Sequence, residues 1–389
     1  MTFARFDLIL AAVVFALGTG PALAAPGSLL TQCWSQADLA AQPGERRIVK
    51  LNGAPDTKPV QRELLMTEPT PEALQGSIRS IRIADGQKLI ALTFDLCESR
   101  SQIAGYDGDI VDTLRKLGVK ATFFAGGKWL LDHPERSEQL MADANVELGN
   151  HNWSHANVRR IDAAGIAREI GRTQAAYEQL REQFGQAQCT MAQPASFSRI
   201  PKRLELYRFP YGACNAAGLK AVADQGLVEI QWDIAMGDPD AAQTAEMIVK
   251  DVMRKVHPGA IIIGHANGRG VNTNEALLTL IPLLKSKGYE FVTVNELMAA
   301  GTPVIAQECY SEKPGDLDRY DKPKDETAAA QDRKAPNDAN GAALAAPVVA
   351  VKAAADFGAQ SAVKPRARKR SKSAPAEGDW FGLFGSGSG

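Results

Sequence analysis

The chain has five histidines, and three of them fall where an apolar run gives out. His151 and His155 stand in "GNHNWSHAN", and His265 closes "IIIGHAN". Asp95 ends "KLIALTFD". Arg208 and Tyr211 sit in "LYRFPYG", and Trp232, Asp233 and Asp238 follow in "WDIAMGD". Functional groups gather at the carboxyl ends of strands in α/β sheets and barrels. Together these residue types describe metal-assisted hydrolysis of an amide. His151 and His155 are four apart, which on a helical turn places both imidazoles on one face, a spacing that suits one metal ion. Two histidines and a carboxylate hold a zinc-class divalent ion and leave a position open for water. A second carboxylate takes a proton from that water, and a histidine opposite returns one to the leaving amine. An arginine orients the base, and a backbone N–H receives the oxyanion. Taken singly, His265 reads as a satisfied core histidine and Arg208 as a buried ion-pair partner. His133 and His257 read as loop residues without a role.

These side chains need strands to hold them. From about residue 85 to 300, apolar runs alternate with helix-like segments. The strand-like runs are 88–95, 120–127, 146–151, 206–212, 227–234, 259–266 and 290–297. Amphipathic stretches separate them, and Gly118, Gly226 and Gly288 close several of these. Such a rhythm implies a parallel sheet covered on both faces. About seven strand-helix units fit a distorted, incomplete (β/α) barrel, with an open doubly wound sheet as the alternative. Residues 185–203 read as a loop inserted before the fourth strand.

At this point the motifs resemble, in order, those of the polysaccharide deacetylase family, the NodB-homology domain of carbohydrate esterase family 4. "LTFDLCE" is similar to its T-F-D-D-G, "NHNWSH" to N-H-[ST]-x-x-H, and "RFPYG" matches R-x-P-[FY]-G. "WDIAMGD" and "IIIGH" resemble the fourth and fifth motifs. The resemblance implies Asp95 as general base and His151 and His155 as metal ligands. It makes Arg208 the residue that positions Asp95, and Asp238 the partner that tunes His265, the general acid. Tyr211 shapes the pocket and supplies the oxyanion donor, and Ile263 and Trp232 line it. The implied reaction removes N-acetyl groups from peptidoglycan or chitin-like amino-sugar glycans, giving acetate and a free amine, with a divalent metal, zinc first.

The first motif departs from the family. Leu96 stands where the second Asp would ligate the metal, and Cys97 where the glycine would be. Pro239 replaces a usual tryptophan, and Asn152 a Ser or Thr. Glu98 is the preferred substitute ligand: two residues beyond Leu96, an extended chain returns it to the same side. Cys97 shares the side of Asp95, and a thiolate binds zinc well. Asp95 could itself be the ligand, with another group as base. A protein that has lost the metal would be a glycan-binding pseudoenzyme. A small-molecule amide hydrolase is the remaining reading.

The rest of the chain sets the context. Residues 1–24 have an early Arg5, a short apolar stretch and Ala22-Leu23-Ala24, the pattern of a secretory signal. An uncleaved anchor is disfavoured by the stretch's length. Export to the periplasm or beyond permits disulfides, and five cysteines leave at least one without an intramolecular partner. Residues 25–84 read as a loose N-terminal extension. Residues 311–389 read as a disordered tail with a basic run, 364–372, and an aromatic end at Trp380, Phe381 and Phe384. That end could touch an envelope polymer or a membrane surface. A net charge of −1 gives no global attraction to nucleic acid.

Overall fold

A computed structural model describes residues 28–54, 56–65, 67–84 and 86–321. Eight strands make its main sheet: β1 Leu89–Leu96, β2 Ala121–Ala125, β3 Val146–Asn150, β4 Leu206–Tyr207, β5 Val228–Glu229, β6 Ile234–Ala235, β7 Ile261–His265 and β8 Glu290–Val292. They lie in the order β5-β4-β3-β2-β1-β7-β6, and β8 pairs with the first half of β1. Every pairing is parallel, as the helical crossovers require.

Curvature follows from connectivity. β5 ends at Glu229 and β6 starts at Ile234, yet they occupy opposite edges of the sheet. A link this short spans at most about 18 Å, so the two edges must curl toward each other. An antiparallel ribbon, Ser77–Ile83 with Gly301–Ala306, stands at the seam. Ile78 bridges to Ile230 there, and Ser80 to Ala260. The sheet is therefore an incomplete (β/α) barrel rather than an open doubly wound sheet.

Alternation along each strand divides the core in two. Ala91, Phe124, Leu206, Ile230, Ile261 and Ile263 form the barrel interior. Ile90, Leu92, Phe94, Leu96, Phe123 and Ile262 face outward into the layer beneath the helices. Thr93 and Asp95 thus point inward with Ala91, while Leu96 points out.

Residues 28–84 differ from the loose extension expected of them. Helix Leu29–Cys33 buries Leu29 and Leu30, and Cys33 is bonded to Cys189. Glu45 accepts from Arg136 at 2.8 Å, Arg46 pairs with Asp107 at 3.0 Å, and Val49–Lys50 pairs with Gln102–Ile103. The inserted segment 185–203 carries two short helices, Gln188–Met191 and Pro194–Phe197. The boundary expected at 311 also moves. A second disulfide, Cys214–Cys309, ties down the segment after Gly301–Ala306, and the chain stays packed through Asp321. The sequence-derived leader at 1–24, the basic run and the aromatic end lie outside the described residues. Among the described residues no helix is long and apolar enough to cross a membrane.

The pairing leaves Cys97 as the free thiol. Unreduced, denatured protein should give about one titratable thiol per chain, as two native cross-links require, and Cys97→Ser should give none. Three or more thiols would refute the pairing. Loss of either cross-link should cost about 2–5 kcal/mol in urea unfolding.

Candidate active site

The strand register sets the first row of the site. His265 on β7 lies beside Asp95 on β1, and Asp95 beside Phe124 on β2. The ladder runs one step past the named strands: the His151 N–H donates to Ala125 O at 3.0 Å, and the Arg208 N–H to Asn150 O at 2.9 Å. Asp95, His151, Arg208 and His265 therefore reach the same end of the barrel from four strands.

Arg208 is fully buried and positions the Asp95 carboxylate. Its Nη1 donates to Asp95 Oδ1 at 2.9 Å and to Thr93 Oγ1 at 2.9 Å, while Nε and Nη2 donate to Ile230 O and Gln231 O. The guanidinium spans the seam between β1 and the β5–β6 link. It is also stacked 4.0 Å from the centre of the Phe124 ring. A charge this deep is tolerable only with such pairing.

His151 and His155 do converge, but through a loop rather than the helical turn the spacing suggests. Their ring centres lie 5.0 Å apart. Asn152 and His155 both take left-handed backbone conformations (φ 63° and 55°), as does Tyr211 (φ 61°). Each such residue costs about 1–3 kcal/mol and persists only where its surroundings impose it. Here they do: Asn152 N–H donates to Asn150 Oδ1, Tyr207 OH to Asn152 Oδ1, and Ser154 N–H to the Glu169 carboxylate. Glu169 lies on helix Ala163–Gly185, capped at its start by Asp162, whose carboxylate accepts from Gly165 N–H. Tyr211 packs edge-on against His155, centres 4.4 Å apart.

His265 is the best-held acid candidate. Its Nδ1 meets Asp238 Oδ1 at 3.0 Å, and its own N–H donates to Asp238 Oδ2 at 2.7 Å, which also accepts from Thr273 OH. Burial opposes a charge on this ring, but the Asp238 carboxylate more than offsets it and raises the imidazolium well above the usual histidine range.

Glu98 is a correction. It is fully buried and faces away from His151 and His155. Its Oε1 accepts from Lys128 Nζ at 2.8 Å, and its Oε2 from Ala104 N–H at 2.7 Å. Burial, with a hydrogen bond to Asp132, pushes Glu98 up to about 8 despite Lys128. The parity argument holds, since Glu98 does share the side of Leu96. That side, however, is the helix-facing one. The inward residue is Cys97, whose Sγ lies 3.4 Å from His151 Nε2. Asn267 holds this turn, donating to Cys97 O at 2.7 Å. Burial works against a thiolate, but the imidazoles of His155 and His151 pull Cys97 well below its ordinary range.

Donor atoms of Cys97, His151 and His155 all lie within 4.8 Å of one another, as do those of Asp95, Cys97 and His265. The first set fits a zinc-class ion in the chemistry of its donors: one soft sulfur and two imidazoles. His151 Nδ1 is bonded to Arg208 O at 2.9 Å, which leaves Nε2 as the ligand atom.

One cavity of about 430 Å³ holds the candidates together. Asp95, Cys97, His155, Tyr211, Trp232, Asp238, Ile263 and His265 line it. Asp233 stays out, held by His257 at 2.6 Å. The segment past Cys309, outside the expected domain, supplies Ser311, Leu317, Arg319 and Tyr320. Tyr320 lies 5.0 Å from Tyr211, centre to centre, and Trp232 Nε1 donates to Ser311 Oγ at 3.4 Å. The only sequence sign of this wall is Cys309, a cysteine just before the supposed tail.

The incomplete parallel barrel thus carries an Arg-held carboxylate, three histidines and a free thiol at its carboxyl end. Residues 82–230 match the family model described as polysaccharide deacetylase. The chain thus carries a polysaccharide deacetylase (NodB-homology) domain. It is 31% identical over 270 residues to Peptidoglycan-N-acetylglucosamine deacetylase PgdA of Listeria monocytogenes, covering 68% of this chain and 51% of that protein. The chain spans about half the length of that relative. A Peptidoglycan-N-acetylglucosamine deacetylase of Bacillus cereus is 27% identical over 218 residues, 56% of this chain and 91% of its own. Among solved structures, a CE4 family pseudoenzyme from Bacillus anthracis is 26% identical, covering 58% of this chain and 69% of that one, with a TM-score of 0.46.

Leu96 is fully buried among apolar neighbours. Leu96→Asp, which restores the family motif on paper, should therefore strand a charge in the core and cost about 3–5 kcal/mol. Urea unfolding checks this, and a neutral effect would show that the residue 96 side chain can reach the site.

Proposed function

We propose that this chain is an exported, metal-dependent deacetylase that hydrolyses N-acetyl groups of an amino-sugar glycan of the peptidoglycan or chitin type. The observation that carries it is the convergence, at and just beneath one cavity, of Asp95 on Arg208, His265 on Asp238, and the Cys97–His151–His155 donor set, with His151 and Arg208 buried behind the lining. Two disulfides in the chain support export.

Cys97, His151 and His155 would hold the divalent ion, which when bound polarises the acetyl carbonyl and acidifies water. Arg208 fixes Asp95 Oδ1, so the carboxylate keeps one orientation while it accepts the proton of the attacking water. Its other oxygen lies 3.5 Å from His151 Nε2, at the edge of the donor set. His265, kept protonated by Asp238, gives its proton to the departing amine. Ile263 and Trp232 offer an apolar wall to the acetyl methyl. Tyr211, held beside His155, would present the oxyanion donor. Zinc is the favoured metal because the set contains a thiolate, which hard oxygen-seeking cations do not select.

A second cavity of about 730 Å³ shares Pro239, Ser311, Arg319 and Tyr320 with the first. A groove continuing past the reacting centre suits a polymer better than a small amide.

Metal analysis should find about one zinc-class ion per chain, lost in His151→Ala and Cys97→Ala and kept in Glu98→Gln. Cobalt substitution should add a thiolate-to-metal charge-transfer band that Cys97→Asp abolishes. Acetate release from peptidoglycan or chitin oligomers should stop on chelation. Retention on the glycan without acetate under any divalent metal would instead establish a binding protein.

The rate should fall on the alkaline side as His265 loses its proton. Because Asp238 raises that ionisation, Asp238→Asn should move the alkaline limb of the kcat–pH profile to lower pH. An unmoved limb would remove His265 from the acid role.

A further inference from the structure

The carboxylates that line the reacting cavity are already engaged, Asp95 with Arg208 and Asp238 with His265. Two arginines on its wall are not. Arg269 lies on the turn after β7 and Arg319 on the segment anchored by Cys214–Cys309, and neither forms a salt bridge among the described residues. Arg319 leans on its neighbour, with its guanidinium 4.8 Å from the Tyr320 ring centre and Nη2 donating to Tyr320 OH at 3.2 Å. Asp316 is the acid it faces at longer range. Arg160, also without a carboxylate partner, adds its field at Tyr211 together with Arg269. Its neighbour Arg159 takes both nearby acids, Asp318 and Asp321, at 2.9 and 3.0 Å.

Arg159 is shared by two acids, so the four arginines Arg159, Arg160, Arg269 and Arg319 face three acids, Asp316, Asp318 and Asp321, which leaves the mouth around Tyr211 and Tyr320 with one positive charge in excess. We infer that this mouth selects a glycan bearing a carboxylate beside the acetamido group, with Arg269 and Arg319 gripping it from two separate segments of the wall. The inference rests on the deacetylase reading and adds the substrate's charge to it. A guanidinium suits a carboxylate because its planar fork can donate two parallel hydrogen bonds. Tyr320 supplies a flat face for the sugar ring where Pro239 leaves no tryptophan. The same segment therefore provides both the stacking platform and one cation, and the disulfide fixes it to the turn that carries Tyr211. The carboxylate could belong to a lactyl ether or to a uronic acid, which offer the same group at different places on the sugar.

The test compares acetate release from four probes. These are peptide-free glycan strands with lactyl-ether sugars, N-acetylated uronate oligosaccharides, and each of these with its carboxylates reduced to alcohols. The zinc-loaded full chain should favour at least one carboxylated probe over its reduced form by about fivefold or more in kcat/KM, mostly through KM. Whichever probe shows the preference identifies the source of the carboxylate. Arg269→Gln with Arg319→Gln should collapse that ratio toward one, and raised salt should erode it in the unaltered protein. Equal rates on carboxylated and reduced probes, or a ratio that survives the double substitution, overturns the inference while leaving the deacetylase reading intact. Absence of acetate from every probe defeats the deacetylase reading instead. Calorimetric binding of the same pairs then decides the inference: a carboxylate preference lost in the double variant supports it, and equal binding overturns it.

Discussion

The pleat of β1 is the constraint on which the site depends. Ala91, Thr93 and Asp95 face the barrel interior, while Ile90, Leu92, Phe94 and Leu96 are sealed beneath the helices. A slip of one residue would turn Thr93 and Asp95 into the apolar layer beneath the helices and Phe94 and Leu96 into the barrel interior. The register as it stands delivers Asp95 to Arg208 and sends Cys97 toward His151. It also commits Glu98 to the helical layer, where Lys128, 0% exposed, waits for it. The fate of three neighbouring residues is thus one consequence of two-residue periodicity.

Around that strand the site is built by cross-links of different kinds. Arg208 joins β1 to the β5–β6 link at the seam where the barrel fails to close. Glu169, a helix residue, fixes the loop that bends His155 back toward His151. A disulfide fixes the last wall. Left-handed backbone at Asn152, His155 and Tyr211 is the cost of bringing groups from separate loops to one point, and these anchors offset it.

In the proposed ligand set, the sulfur of Cys97 would give the centre its chemical character. A thiolate is softer than a carboxylate and donates more charge, which favours zinc-class ions over magnesium or calcium. Its burial and its neighbouring imidazoles suit it to be a ligand. Leu96 is sealed in the core, and the next residue, Cys97, is the one that meets the imidazoles.

Much of this was legible in the sequence. The strand–helix rhythm, the carboxyl-end placement of Asp95, Arg208 and His265, and the ordered motifs specify a barrel-like parallel fold and the side chains that meet at one end of it, because these depend on local periodicity and short spacing. The side toward which Leu96 and Glu98 turn was not legible, since periodicity gives relative parity but not which face meets the interior. The disulfide pairing was equally hidden, as was the wall formed by Leu317, Arg319 and Tyr320. The two disulfides join residues 156 and 95 positions apart, and only the folded backbone brings such segments together.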